Sequence, residues 1–353
     1  MIKLTDRQKK IIDFISRNGE VGISDILASI NIGDTTISRF SVIRDLGVLV
    51  LEGIIERLGG GRSTKYVPKY GNSLHKYIDI DDYFEIPQEN RPLVSESFDH
   101  TIFQKLQKEK ILSDHQIEKL EKINAEFKNN LQNISTTIKK KELERFTIEL
   151  SWKSSQIEGN TYTLLDTENL IKNKIEAEGH KKEEAVMILN HKKALDFINE
   201  KTSYFETISL KKLEELHKLI VGDLDIHFNI RKSPVGITGT KYKPLDNEYQ
   251  IKKAVQEMIK LINNSAHPAV KSFLALALIS YIQPFEDGNK RTARLLANAI
   301  LLAYNYCPLS YRSVKEGDYK KAILIFYEIH HLDPLKRIFL EQFEFAVNNY
   351  FRS

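Results

Sequence analysis

An apolar run from Phe273 to Ile282 stops against Gln283-Pro284 and is followed at once by Glu286-Asp287-Gly288-Asn289-Lys290-Arg291. This junction constrains the chain more than any other feature. The run holds only about half of the roughly 20 apolar residues that a membrane span needs, so it reads as a buried helix. Pro284 interrupts that helix. Phe285 offers an apolar anchor, and Gly288 and Asn289 tolerate the positive φ of a tight turn. A second helix is expected to begin near Arg291. Backbone N–H groups at a helix start, together with the helix dipole, make an anion site. Arg291 and Arg294 are three residues apart and can share one face near that end, a pairing suited to a polyphosphate. Asp287 is a hard oxygen ligand that suits Mg²⁺ bridging phosphates. The same string also reads as a plain helix–loop–helix corner whose arginines pair with nearby carboxylates.

The rest of the chain supplies a mainly helical frame. Its 353 residues are 41% hydrophobic and 28% charged, with a net charge of +4. That balance does not argue for nucleic acid by itself. The lone Cys307 excludes an internal disulfide framework and a Cys-rich zinc site, and suits a reducing compartment. The opening MIKLTDRQKK lacks the apolar core of a signal peptide, so a cytoplasmic, soluble protein with no membrane partner is the expectation. Helices fit Lys181–Glu200, Leu210–Val221, Ile251–Asn263, Ala269–Ile282, Thr292–Tyr304, Glu316–His330 and Leu335–Tyr350. Leu143, Phe146, Leu150 and Ile157 form one helical stripe. Ser233–Pro244 is the exception, because Gly236, Gly239 and the alternation around them predict a short β-hairpin. Lys139–Lys141 reads as a solvated helix face, and His267, His330 and His331 as structural or surface residues.

Residues 1–70 read as a separate domain. Thr5 and Gln8 form a capping-box pattern ahead of Ile11, Ile12, Phe14 and Ile15. A second helix fits Ile23–Ile30. A third, capped by Asp34, is expected over Thr35–Leu46 with Gly47 as its stop. Strands are expected at Val48–Leu51, Ile54–Leu58 and Lys65–Val67, with a Gly59-Gly60-Gly61 turn. Three helices and a β-ribbon resemble a winged helix-turn-helix. In such a domain Thr35, Thr36, Ser38, Arg39, Ser41 and Arg44 lie on or near the recognition helix, and Arg57, Arg62 and Lys65 flank the wing. The segment holds 11 basic against 8 acidic residues, a balance that permits DNA binding through Thr36, Ser38, Arg39, Arg44 and Arg62 without demanding it. Docking to protein is the other use of such a domain. Gly59–Thr64 lacks the order of a P-loop. Residues 71–97 read as a polar connector.

Residues 283–294 resemble the signature of the Fic (Fido) family, H-P-F-x-[DE]-G-N-[GK]-R-x-x-R, at every specified position but the first, where Gln283 stands for His. Ser154-Ser155-Gln156-Ile157-Glu158-Gly159-Asn160 resembles the family's inhibitory motif, and Gly236-Ile237-Thr238-Gly239-Thr240-Lys241-Tyr242, preceded by Arg231, resembles its flap. The resemblance spans Phe98 to Tyr350. It implies a Fic-type helical bundle over 98–353 with a hairpin flap and an inhibitory helix over 141–160. It also implies AMP transfer from ATP, with Mg²⁺, to a Ser, Thr or Tyr hydroxyl of a target protein. By the same resemblance, Gln283, Asp287, Asn289, Arg291 and Arg294 occupy the catalytic positions. Gly288 to Arg294 and Tyr319 would hold the nucleotide, and Asp287 the metal. Ser154, Glu158 and Asn160 form the inhibitory set, in which Glu158 pairs with Arg294.

Gln283 cannot serve as the general base that the family's His provides, because a carboxamide does not titrate near neutral pH. Glu286 and Asp287 are the nearest carboxylates. Two functions follow: a self-restrained protein adenylyltransferase, or a transfer-inactive, nucleotide-binding and DNA-binding regulator on the same fold. A homodimer is compatible with either.

Overall fold

The computed structural model describes residues 4–31, 37–68, 73–75 and 78–352. Asp34, Thr35 and Thr36 lie outside the described residues, as does the side chain of Arg62.

The N-terminal part holds α1 (Asp6–Asn18), β1 (Val21–Gly22), α2 (Ile23–Ile30), α3 (Arg39–Leu51), β2 (Ile55–Leu58) and β3 (Lys65–Pro68). Thr5 and Gln8 close a capping box at the start of α1. The strands form an antiparallel sheet in the order β1-β3-β2, with Val21 opposite Tyr66 and Arg57 opposite Tyr66 from the other side. Ile11, Ile15, Ile26, Val42, Leu46, Leu49 and Ile55 fill its core. The third helix departs from the sequence expectation at both ends. Its N-cap is Ser38, whose side chain accepts from the Ser41 amide. It runs through Gly47, so the strand expected at Val48–Leu51 is its last turn. Val42, Leu46 and Leu49 share one buried face, and that burial outweighs the roughly 1 kcal/mol that a mid-helix glycine costs.

The connector is docked rather than loose. Asp79 caps α4 (Ile80–Glu85). The Val94 amide donates to the Glu328 carbonyl (2.7 Å) and the Lys243 amide to the Glu96 carbonyl (2.7 Å).

The body continues with α5 (Thr101–Lys108), α6 (Asp114–Asn133), α7 (Thr136–Ile157), α8 (Leu164–Asn173), α9 (Lys182–Glu200), α10 (Leu210–Val221), α11 (Glu248–Asn264), α12 (Pro268–Ile282), α13 (Asn289–Ala303), α14 (Glu316–Ile329) and α15 (Asp333–Asn349). The apolar run forms α12 at the centre, buried on all sides, as expected of a helix hydrophobic all round. His267 caps it, with Pro268 in its first turn. Among the described residues no helix is long and apolar enough to cross a membrane.

Between α10 and α11 the expected hairpin has no ladder. Residues 234–242 form no strand, and the chain turns at Thr238-Gly239, where Gly239 has φ +87°. Its backbone groups are taken by side chains and by the connector instead of by a second strand.

Candidate nucleotide site

The α12–α13 corner is built differently at two points from the sequence expectation. Gln283 itself takes the left-handed conformation (φ +51°) that ends α12. Only Gly288 has positive φ in the loop after it (φ +75°), and α13 starts at Asn289 rather than near Arg291. The first turn bond runs from the Thr292 amide to the Gly288 carbonyl (2.9 Å), so helix geometry gives the amides of 289–291 no intrahelical acceptor. Asn289 staples the loop: its carboxamide accepts from the Phe285 amide and donates to the Phe285 carbonyl, each at 2.8 Å.

These amides open on a cavity of about 400 Å³. Gln283 and the loop 286–291 form one wall. Val235 to Thr238 face them from the flap, with Tyr319 and Tyr327 of α14 between and Glu158 at one end. Arg291 donates to Asp287 (3.0 Å), while its Nε and Nη1 are buried without a hydrogen-bond partner. A buried guanidinium with two unused donors beside a helix start fits an anionic ligand. Asp287 is largely exposed, and Glu286 lines the same cavity beside it. Among the described residues no group of three or more His, Cys, Asp or Glu could hold a metal ion, so Mg²⁺ would draw further oxygens from the nucleotide and water.

Arg294 is fully occupied. Its Nη1 donates to Glu158 (2.9 Å), its Nε to the Ser154 hydroxyl (2.9 Å) and its Nη2 to the Ser154 carbonyl (2.8 Å). The guanidinium lies 5.3 Å from the Tyr319 ring. Lys290 reaches the other Glu158 oxygen at 3.4 Å. Burial opposes the charge on Glu158, but Arg294 and Lys290 outweigh it and hold the carboxyl below its ordinary range. Burial pushes the Tyr319 hydroxyl up.

Gln283 points its amide inward, donating to the Ser280 carbonyl (2.6 Å) and to the Tyr327 hydroxyl (3.3 Å). Three of the expected site residues fall elsewhere. Thr292 and Ala293 are wholly buried in α13, because the corner turns one residue pair earlier than expected. Asn160 turns away to α9, donating to the Glu184 carbonyl (2.9 Å). The flap divides likewise. Gly236, Ile237 and Thr238 line the cavity. Gly239 accepts from Arg91, Thr240 accepts from the Tyr242 amide, Lys241 donates to Glu89, and Tyr242 stacks on Tyr281 at 4.7 Å.

Three residues missed by sequence reasoning support the corner. His217 of α10 lies flat on Phe285 (3.6 Å between centroids), with its two ring nitrogens 2.9 Å from the Phe228 and Asp287 carbonyl oxygens. Tyr327 meets Gln283. His191 of α9 is buried, and desolvation followed by the nearby Arg294 and Arg291 holds it well below its ordinary range. Tyr327 lies 44 positions from Gln283, His217 lies 70 from Asp287 and His191 lies 100 from Arg291 (291 − 191), and no local pattern marks them. Of the histidines read as structural, His267 pairs with Glu121 (2.8 Å) and His330 with the Tyr281 hydroxyl (2.8 Å). In the N-terminal part Ser38, Arg39 and Arg44 lie exposed on α3.

A helical body of this kind is matched among known proteins. Residues 207–301 match the family model described as the Fic/DOC family, so the chain carries a Fic/DOC family domain. The protein adenylyltransferase Fic of Drosophila grimshawi is 31% identical over 161 residues, which is 45% of this chain and 33% of that protein. The protein of the same name from Drosophila virilis is 30% identical over 161 residues, with 45% and 33% covered. The chain thus spans about a third of the length of these curated relatives. Among solved structures, Fic-1 (residues 134–508) from C. elegans superposes with a TM-score of 0.59 at 20% identity, covering 67% of this chain and 71% of that one. A Fic family protein from Desulfovibrio desulfuricans G20 gives 0.55 at 21% identity, covering 67% and 74%. These likenesses establish a shared fold.

Proposed function

We propose that this protein is a Fic-type adenylyltransferase that transfers AMP from ATP to a Ser, Thr or Tyr hydroxyl of a target protein and is restrained by Glu158. The observation that carries the reading is the cavity lined by the start of α13, by Arg291 with its unused donors and by Glu158, whose carboxylate holds the buried Arg294 behind it. The amides of 289–291 and Arg291 would hold phosphate oxygens, with Asp287 facing Mg²⁺, which supplies charge neutralisation to the phosphates when bound. The hydroxyl oxygen attacks the α-phosphorus, the bond to the β-phosphate oxygen breaks, and pyrophosphate leaves. The hydroxyl proton passes to solvent or to an exposed loop carboxylate, because Gln283 cannot accept it. Phosphoryl transfer rests mainly on positioning and charge. Base catalysis contributes about 10²–10⁴-fold, so wild-type transfer should be slow by that factor. Glu158 competes for Arg294 and leaves it unavailable to phosphate.

One observation favours a second reading, in which the core binds nucleotide without transferring it. The Gln283 amide is spent on Ser280 and Tyr327 rather than offered to an acceptor. Labelled ATP with Mg²⁺ separates the two. Label on protein with wild type or Glu158→Gly supports transfer, label only when Gln283→His is added supports the inactive core, and no nucleotide binding by any variant defeats both.

For residues 1–70 the proposal is a winged helix-turn-helix whose α3 presents Ser38, Arg39 and Arg44 to DNA. Phe40 and Ile43 are exposed on the same helix. A gel shift with DNA across a salt series should show falling affinity if phosphates are read, and no shift if the domain docks protein.

A further inference from the structure

The flap has no ladder of its own, yet it forms one wall of the cavity. Its position must therefore come from bonds made by other elements. At its base, Arg231 donates from Nη1 to the Ser233 carbonyl (2.7 Å) and from Nη2 to the Leu245 carbonyl, and its Nε ties the same residue to the Gln283 carbonyl (2.7 Å). At its tip, the connector does the holding. Arg91 donates from Nη2 to the Gly239 carbonyl (2.7 Å), and Lys241 reaches back to the Glu89 carbonyl (2.7 Å).

Arg91 is itself seated. It is buried, lies 3.4 Å from the buried carboxylate of Glu328 on α14, and sits over the Phe84 ring at 4.9 Å. Tyr83 donates to the same carboxylate (2.6 Å). Gly239 takes a positive φ of +87° at the tip, a conformation in which a side chain would be strained.

From this arrangement we infer that Arg91 is a positioning residue for the flap: the connector, through one charge-assisted bond to the Gly239 carbonyl, sets the height of residues 236–238 over the cavity. The inference rests on the transferase reading only for what the flap is for, namely aligning an acceptor segment over the nucleotide. The bond itself belongs to this chain's connector, a segment whose sequence reads as a polar spacer.

The test compares amide hydrogen exchange in the full chain for wild type, Arg91→Ala, Arg91→Lys and the pair Arg91→Ala with Glu328→Gln, which spares folding the cost of a stranded carboxylate. The affinity of a fluorescent ATP analogue is measured alongside. The expected result is exchange at the two hydrogen-bonded amides beyond the tip, Tyr242 and Lys243, faster by about tenfold or more in both alanine variants, with 289–303 unchanged and partial recovery by lysine. Analogue affinity should stay within about twofold, since the nucleotide's phosphates are held by the opposite wall. Unchanged exchange at Tyr242 and Lys243 overturns the inference. So does a uniform rise that includes 289–303, because that marks general destabilisation. If the wild type fails to bind the analogue, the transferase reading falls, and the exchange data decide the brace on their own.

Discussion

The two walls of the cavity are held in opposite ways. The corner at 283–294 is braced by short-range bonds within itself, by Asn289 on Phe285, and by helices packed beneath it through His217 and the Ser154–Glu158 turn. The flap at 235–242 has no internal ladder and hangs on Arg231 at its base and Arg91 at its tip. On the proposed function, a site that grips a charged nucleotide needs one wall fixed before the ligand arrives. A wall that receives a variable acceptor can be held by a few replaceable bonds. Preorganised donors on a rigid element are the part that electrostatic stabilisation requires.

That contrast can be broken most strongly at Arg294. Arg294→Ala removes three bonds and leaves the Glu158 carboxylate with Lys290 alone, at a cost of about 3–5 kcal/mol. Thermal melting should drop sharply, while nucleotide affinity should change far less, because Arg294 is already held by Glu158 and Ser154. Asn289→Ala should come next, losing about 2 kcal/mol as the Phe285 amide and carbonyl lose their partners. Denaturant unfolding should show it, with exchange in 284–289 rising while the flap stays as it was.

The Glu158 clamp sharpens the comparison through pH. Its carboxyl sits below the ordinary range in the folded protein. The stabilisation is therefore present above the unfolded value and lost as pH falls through the lower folded value. The melting gap between wild type and Glu158→Gln, about 1.5 kcal/mol at neutral pH, should close in acid and not in alkali. If the gap persists at low pH, the clamp does not depend on the charge. The smallest effect is expected at Gly239→Ala, about 1 kcal/mol from a residue held at φ +87°. The flap should exchange faster with the corner undisturbed.

Much of this was legible from local pattern. Helices α9, α10 and α14 follow the expected spans within a residue, because amphipathic periodicity and burial point the same way along them. The corner was readable because Pro284, Gly288 and the two arginines act within a few residues of one another. The pairing of Glu158 with Arg294, implied by resemblance, stands at 2.9 Å.

Other features depended on contacts that no local window contains. Gly47 reads as a helix stop, but burial of Leu46 and Leu49 carries α3 past it. The alternation in Val235–Tyr242 reads as a hairpin, but Arg91 and Arg231 take carbonyls that a partner strand would have used. His217 and His191 reach the corner only through packing of α10 and α9. Most helical elements and the chemistry of the loop follow from local pattern, since backbone propensity, chain breaks and charge act over a single turn. Which distant side chains hold that loop and its facing flap is set by long-range packing, because the satisfaction of a buried carbonyl or guanidinium depends on whatever the fold brings beside it.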